Sequence, residues 1–184
     1  MSATVRIVDL HALDAAIWHE LDRAVHQRGH EWRVGVLATV DDGAADARCI
    51  VLRDLRADER ALVFYTDERS AKVRQIDARP EGTLVLWSRT LGWQLRLRVA
   101  LAMETSGLDV SSRWARMRMT PAAQDYLSPL PPGSPVAHPA PERGTREYFA
   151  VVTARVHTVD WLELHAQGHR RARFDEHGAR WLVP

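Results

Sequence analysis

The sequence predicts a mainly β chain with peripheral helices, folded as a closed or split β-barrel. Three observations carry this expectation. Apolar runs of strand length outnumber the helical segments. Trp93, Leu95, Leu97, Val99 and Leu101 alternate with Gln94, Arg96 and Arg98, the period of a strand with one apolar face. The helical segments stand at the start of the chain and singly between strands, not after each strand as in a doubly wound sheet.

The elements follow in order. Asp9 is placed to cap a helix running to about Arg28, because Leu10, Leu13, Ile17, Leu21 and Val25 repeat at three- and four-residue steps and Gly29 offers a stop. This gives an N-terminal helical segment within residues 1–29. Trp32–Val40 reads as a strand, closed by the turn Asp41-Asp42-Gly43. Cys49–Leu52 and Leu62–Tyr65 are the next short strands, with a charged turn at 56–60 between them. Asp67–Arg79 reads as a helix that Pro80 terminates. Thr83–Trp87 and the alternating run from Trp93 are strands, followed by a helix over Leu108–Met119 and a shorter one to Leu127. Six prolines between Pro129 and Pro141 exclude a regular element, so residues 128–147 form a surface loop or flap. Tyr148–Val159, Trp161–Leu164, Arg170–Phe174 and Arg180–Val183 return to strand.

At 184 residues the chain is expected to make one domain, 1–184, with a substantial core. Its 46% hydrophobic and 27% charged residues are those of an ordinary globular protein, and a net charge of +1 provides no global field for nucleic acid or acidic membranes. Any anion site must therefore be local. The one cysteine, Cys49, excludes an intrachain disulfide framework, and its place in an apolar run predicts a buried, inert thiol. The start, Met1 to Arg6, lacks the apolar core of a signal peptide, and no window approaches the roughly 20 apolar residues of a membrane span. The expected location is the cytoplasm.

Several chemistries find no motif. There is no Gly-rich dinucleotide turn, P-loop or Gly-x-Ser-x-Gly elbow. None of the nine histidines has helical metal-site spacing, and His165 and His169 flank Gly168 in a turn. Trp18, Trp32, Trp87 and Trp93 fall within apolar patterns, which predicts core packing rather than a stacking surface for single-stranded nucleic acid.

What remains is a pair of segments, Arg48-Cys49-Ile50-Val51-Leu52-Arg53 and Phe64-Tyr65-Thr66-Asp67-Glu68-Arg69-Ser70-Ala71-Lys72. Arg48 and Arg53 have odd separation, which places one on each face of a regular strand. Tyr65 and Thr66 end one strand while Ser70 and Lys72 open a helix, where hydroxyls, a cation and helix N-terminal amides favour a dianion. The residues alone leave two readings open: an anion site, or surface salt bridges to Asp54, Asp67 and Glu68.

The order of these pieces resembles the pyridoxamine 5'-phosphate oxidase family, built on the FMN-binding split barrel. That family has Arg-x-x-x-Leu-Lys, then Phe-Tyr-Thr, Ser-Arg-Lys, Arg-Gln-Val-x-Val and a closing Arg-Leu-x-Pro. The matching pieces here are Arg48–Arg53, Phe64-Tyr65-Thr66, Ser70-Ala71-Lys72, Trp93-Gln94-Leu95-Arg96-Leu97 and Trp181-Leu182-Val183-Pro184, spanning about residues 30–184. The resemblance implies a homodimer with FMN at the subunit interface and a small-molecule substrate. By motif, Arg48 and Lys72 bind the FMN phosphate with Ser70, Thr66 and Tyr65 nearby. The strand through Cys49, Ile50, Val51 and Leu52 runs beside the flavin, and Arg53 stands near the ring. Gln94 meets the isoalloxazine edge. Arg171 is the C-terminal flavin-contacting arginine, with Arg173 as the alternative register.

The departures concern mostly the substrate. Ala71 replaces a phosphate-site arginine, Leu164 stands where the family has a tryptophan, and Tyr126-Leu127-Ser128 runs into prolines where the family has Gln-Ser. The substrate-phosphate cluster maps only onto Trp114 and Arg116 or Arg118, and the final Arg-x-His becomes Gln167-Gly168-His169. The chain thus looks like a divergent branch, expected to be an FMN-dependent oxidoreductase. The rivals are a non-catalytic flavin-binding, storage or sensing protein and a barrel without flavin serving as an interaction module.

Overall fold

The computed structural model describes residues 6–138 and 143–184. Helix α1 spans Leu10–His26; the Asp9 side chain accepts from the Ala12 amide at 2.7 Å, and Leu13, Ile17, Leu21, Ala24 and Val25 are buried. The helix stops before Gly29, because Gln27 turns to extended backbone while its amide still donates to Arg23. Strands β1 (Val34–Asp41) and β2 (Ala44–Arg56) form a hairpin through Asp42 and Gly43. Both turn residues have positive φ, 46° and 84°, as a two-residue turn with the twist of the flanking strands requires. Strand β3 (Ala61–Asp67), helix α2 (Ala71–Ala78), and strands β4 (Glu81–Ser88) and β5 (Trp93–Glu104) follow. Helix α3 covers Leu108–Met117 and a 3₁₀ segment Pro121–Tyr126. The chain then returns as β6 (Phe149–Glu163) and the hairpin β7 (Arg170–Asp175) and β8 (Gly178–Leu182).

All strand pairs are antiparallel, in the order β3-β2-β1-β4-β5-β6-β7-β8. A further pairing of β3 with β6 closes the first six strands of that order into a barrel. The closed barrel with peripheral helices is the predicted class. Its strands run longer than the apolar runs that announce them. β2 extends Cys49–Leu52 by several residues at each end, and β6 fuses two predicted strands into one. Predicted helix α2, conversely, loses its first turn, because Thr66 and Asp67 still pair with β6 and Ser70 is the N-cap. The expectations resting on residues 1–5, and the centre of the proline-rich loop at 139–142, lie outside the described residues.

Inward side chains of the strands, including Leu37, Leu52, Phe64, Leu86, Leu97 and Trp161, form one cluster with the apolar face of α1. Gly35 lets β4 approach at this level: a Cβ there would sit 2.4 Å from Leu86 Cδ2. A second, smaller core lies outside the barrel. There Val63, Phe149 and Val151 of β3 and β6 pack against Val110 and Met117 of α3 and against Tyr126.

The outer face of β2, β1 and β4 is also apolar, and none of the described residues covers it. Val34, Val36 and Trp87 are 50%, 40% and 44% exposed. Two expectations fail here for one reason. Alternation turns Ile50 and Leu52 inward, so Cys49 faces out and is exposed, not buried. Leu86 and Ser88 likewise face the interior, leaving Trp87 on the surface. An apolar run with both faces apolar reads as buried from sequence alone.

Candidate cofactor-binding site

The β3–α2 turn gathers a hydroxyl and ammonium cluster at one end of the barrel. Thr66 belongs to the inward parity of β3 and is buried, as is Ser70. Their hydroxyls lie 3.2 Å apart, and Lys72 Nζ donates to Thr66 Oγ1 at 3.0 Å and to Ser70 Oγ at 3.2 Å. Although Ser70 occupies the N-cap of α2, its side chain makes no capping bond and faces this cluster instead. Burial pushes the Lys72 pKa down, and the charge of Arg48 pushes it further in the same direction; Asp67 and Asp46 oppose.

Arg48 reaches the same end from β2, sharing the inward parity of Ile50 and Leu52. Its guanidinium donates to Thr39 Oγ1 (2.5 Å), Gln75 Oε1 (2.7 Å) and Asp46 Oδ2 (2.5 Å). Gln75 is itself buried, accepts from Thr39 and donates to Asp46. The turn is braced from outside by Asp67, which is buried and accepts from the amide and the guanidinium of Arg69. Arg69 also donates to the carbonyls of Ser128 and Pro129 and lies over the Tyr148 ring, tying the base of the proline-rich loop to this turn.

Further along the outer face, register aligns the other predicted residues. One row runs Trp87, Gln94, Leu162, Arg171 and Leu182 across β4 to β8. The neighbouring row runs Cys49, Val36, Val85, Arg96, Asp160 and Arg173. Asp160 is buried and fixes Arg171 by two bonds, from Nε at 3.0 Å and from Nη2 at 2.7 Å, while Arg96 donates at 3.1 Å. Burial alone would raise the Asp160 pKa, but Arg171 and Arg96 outweigh it and hold the carboxyl below its ordinary range. Arg173 instead pairs with Asp175 at 2.9 Å.

Arg53 lies on the opposite face from Arg48. A bulge shifts the β2–β3 register between Leu52 and Asp54, so Arg53 and Asp54 both turn toward α3. The Arg53 guanidinium stands 5.8 Å from the centre of the Tyr65 ring. Together with Arg113, Arg116, Met117 and Thr120 these residues line a cavity of about 330 Å³.

The substrate residues read from sequence are dispersed. Arg116 lines that cavity, Arg118 is exposed and outside it, and the Trp114 ring packs against Phe149 and Tyr126. His169 is exposed, with Nδ1 accepting from the His165 amide at 3.1 Å, and lines a separate cavity beside Arg171 and Trp181. Sequence reasoning missed Arg113, the one buried arginine of the described residues. Its signal was its place at a helical step between Val110 and Met117, on the apolar stripe of α3.

Comparison with known proteins places the chain. The family model for the pyridoxamine 5'-phosphate oxidase FMN-binding domain matches residues 15–103. A solved FMN-binding protein from Nostoc punctiforme, related to pyridoxamine 5'-phosphate oxidase, superposes with a TM-score of 0.72 at 26% identity, covering 92% of this chain and 96% of that one. Over residues 15–103 the chain is similar to the pyridoxamine 5'-phosphate oxidase FMN-binding domain, and its barrel is the fold of such proteins. Among such oxidases, the pyridoxine/pyridoxamine 5'-phosphate oxidase of Caulobacter vibrioides is 26% identical over 177 residues, covering 89% of this chain and 79% of that protein. The enzyme of the same name from Azorhizobium caulinodans is 48% identical over 63 residues, and that match spans only 29% of its length. PhzG from Burkholderia lata, solved with tetrahydrophenazine-1-carboxylic acid, shares the fold at a TM-score of 0.75 and 17% identity.

The donor set at the barrel end fits the cofactor of this family. An FMN phosphate requires positive charge and directional donors in a partly desolvated place. Lys72 and Arg48 supply the charge, Ser70 and Thr66 the hydroxyls, and α2 the uncapped N-terminal turn. The part of the Lys72 depression that comes from the Arg48 charge is relieved when a dianion lies between them.

Proposed function

We propose that the chain is an FMN-dependent oxidoreductase that works as a homodimer, with the cofactor between the barrel-end cluster and the outer face of the sheet. The observation that carries this reading is the hydroxyl–ammonium cluster of Thr66, Ser70 and Lys72, together with an outer apolar face that the described residues leave exposed. When bound, FMN supplies two-electron chemistry, accepting a hydride equivalent and returning it to a second acceptor. The protein supplies position and charge.

In this reading Lys72, Ser70, Thr66 and the first turn of α2 hold the phosphate, with Arg48 completing the charge. The backbone of β2 from Cys49 to Leu52 lies along the ring system, and Arg53 ends that wall. Gln94 offers both an amide donor and an acceptor to the ring edge. Arg171, kept in one orientation by Asp160, presents a fixed guanidinium edge in the same row as Gln94. A second copy of the chain would cover Val34, Val36 and Trp87 and exclude water from the ring. No protein nucleophile is needed.

A second reading, a non-catalytic flavin binder, draws on the same pairings: Asp160 neutralises Arg171, leaving less positive field for a reduced, anionic flavin. Two measurements separate the readings. The purified protein is expected to show a flavin absorption spectrum and to release FMN on denaturation. Anaerobic addition of a substrate panel then bleaches the oxidised-flavin band if the protein is an oxidoreductase. A stable yellow protein that no donor reduces favours the binder, and a protein that takes up no added FMN contradicts both.

A further inference from the structure

The two cations at the barrel end come from separate elements, Arg48 from β2 and Lys72 from α2, and like charges in a partly desolvated place repel unless the fold fixes them. One side chain ties their elements together. Gln75 stands three residues after Lys72 on α2, so the two project from one face of that helix, and it is 3% exposed. Its carbonyl oxygen accepts from Arg48 at 2.7 Å and from the Thr39 hydroxyl at 2.6 Å, while its amide nitrogen donates to Asp46 Oδ2 at 2.8 Å. Arg48 also donates to Thr39 and to Asp46, both at 2.5 Å, and to the Leu37 carbonyl at 3.3 Å.

The partners dictate the residue at the centre. A guanidinium only donates and an ionised carboxylate only accepts, so a side chain that bridges both must carry an acceptor and a donor. A carboxamide does. A glutamate there would face Asp46 with like charge, and an apolar side chain would leave the buried Thr39 hydroxyl without an acceptor. The Gln75 amide, with the Arg48 charge, holds the Asp46 carboxyl below its ordinary range against partial desolvation, so the carboxylate stays ionised. Both terminal nitrogens of Arg48 are committed to this network, and its Nε makes no hydrogen bond among the described residues.

We infer that Gln75 is a positioning residue for the flavin phosphate: it holds the Arg48 guanidinium in one orientation relative to Lys72 and leaves Nε to the anion. With Gln75 gone, the strongest remaining partner of Arg48 is Asp46, whose side chain is 44% exposed, and the guanidinium is drawn toward solvent and away from Lys72. Gln75 acts through Arg48 and not by touching the cofactor.

The role rests on the flavin reading, and the experiment separates the two. Full-length protein freed of flavin is titrated with FMN and with riboflavin, read by flavin fluorescence, for the wild type, Gln75→Met, Arg48→Met and the double variant. Gln75→Met removes the hydrogen bonds at similar volume. It is expected to weaken FMN about tenfold and riboflavin less than about twofold. In the Arg48→Met background the same substitution is expected to weaken FMN by less than about twofold, because no guanidinium is left to position. A merely structural role would weaken both flavins alike, or weaken FMN by the same factor in both backgrounds. Either result overturns the inference, as does unchanged FMN affinity in Gln75→Met or in Arg48→Met. Should Gln75→Met not fold, Thr39→Val removes the hydroxyl that links Arg48 to Gln75. It is expected to show the same selective loss, about threefold, only where Arg48 is present, and equal FMN affinity in that variant overturns the inference. Wild-type protein that takes up neither flavin fails the flavin reading and this role together, whereas FMN uptake indifferent to Gln75 fails this role alone.

Discussion

Lys72, in the first turn of α2, donates to the Thr66 hydroxyl at the end of β3 across 3.0 Å. This contact joins two elements that the sequence presents separately and puts a partly desolvated ammonium where Arg48 also reaches. Because the folded-state pKa of Lys72 lies below its ordinary value, the unfolded chain binds more protons between the two values. Stability of the flavin-free protein therefore rises with pH from the depressed pKa up to the ordinary lysine pKa, and below that window the penalty is fully present. Lys72→Met is expected to remove this alkaline rise; denaturant midpoints measured across the alkaline range test it.

The uncovered face of β1 and β4 predicts self-association. Trp87→Asp, at a residue 44% exposed in the single chain, is expected to convert dimer to monomer without unfolding it. Sedimentation velocity reads the mass, and circular dichroism checks the fold. A wild type that sediments as a monomer at micromolar concentration with FMN bound contradicts the assignment of that face.

Asp160 holds two arginines and is buried, so its replacement leaves them without their shared carboxylate. Asp160→Asn is expected to lower stability by about 1–3 kcal/mol, moderated by the exposure of Arg96 and Arg171. The carboxyl titrates below its ordinary range in the folded state, so its contribution is present above the ordinary pKa and fades as pH falls through the folded value. Acid unfolding curves of the variant should accordingly be flatter than those of the wild type.

Gly35 faces Leu86 and Leu84 inside the barrel, and an added Cβ would lie 2.4 and 2.9 Å from their methyl groups. Gly35→Ala is expected to destabilise by about 1–3 kcal/mol through overpacking, measurable as a lower midpoint in urea.

What the sequence makes legible here follows from periodicity. The alternation in β5, the α1 face and the Asp42-Gly43 turn are local patterns, and each stands where it is expected. Cys49 and Trp87 depart from the buried expectation because a strand with apolar residues on both faces looks buried, whereas here one of those faces is exposed. β2 and β6 run further than the apolar pattern announces because pairing continues through polar residues, Asp46 opposite Thr39 and Asp160 between Arg96 and Arg173, which sequence patterns discount. Within the candidate site, Thr66, Ser70 and Lys72 share hydrogen bonds and Arg48 reaches the same end of the barrel, a proximity that short motifs separated in sequence do not show by themselves. Arg113 escaped notice because its partners, Asp54 and Tyr65, are brought to it only by the packing of α3 on the barrel.

The central claim is that the barrel-end cluster holds the phosphate of a flavin. Titration of apoprotein with FMN and with riboflavin, for the wild type and Lys72→Met, tests it most directly, because the two ligands differ only in the phosphate. Loss of one charge-assisted contact, about 1.5–3 kcal/mol, predicts FMN binding weakened roughly 10- to 150-fold. Riboflavin binding should change little. Equal FMN affinity in both proteins, or an equal loss for riboflavin, would contradict the assignment.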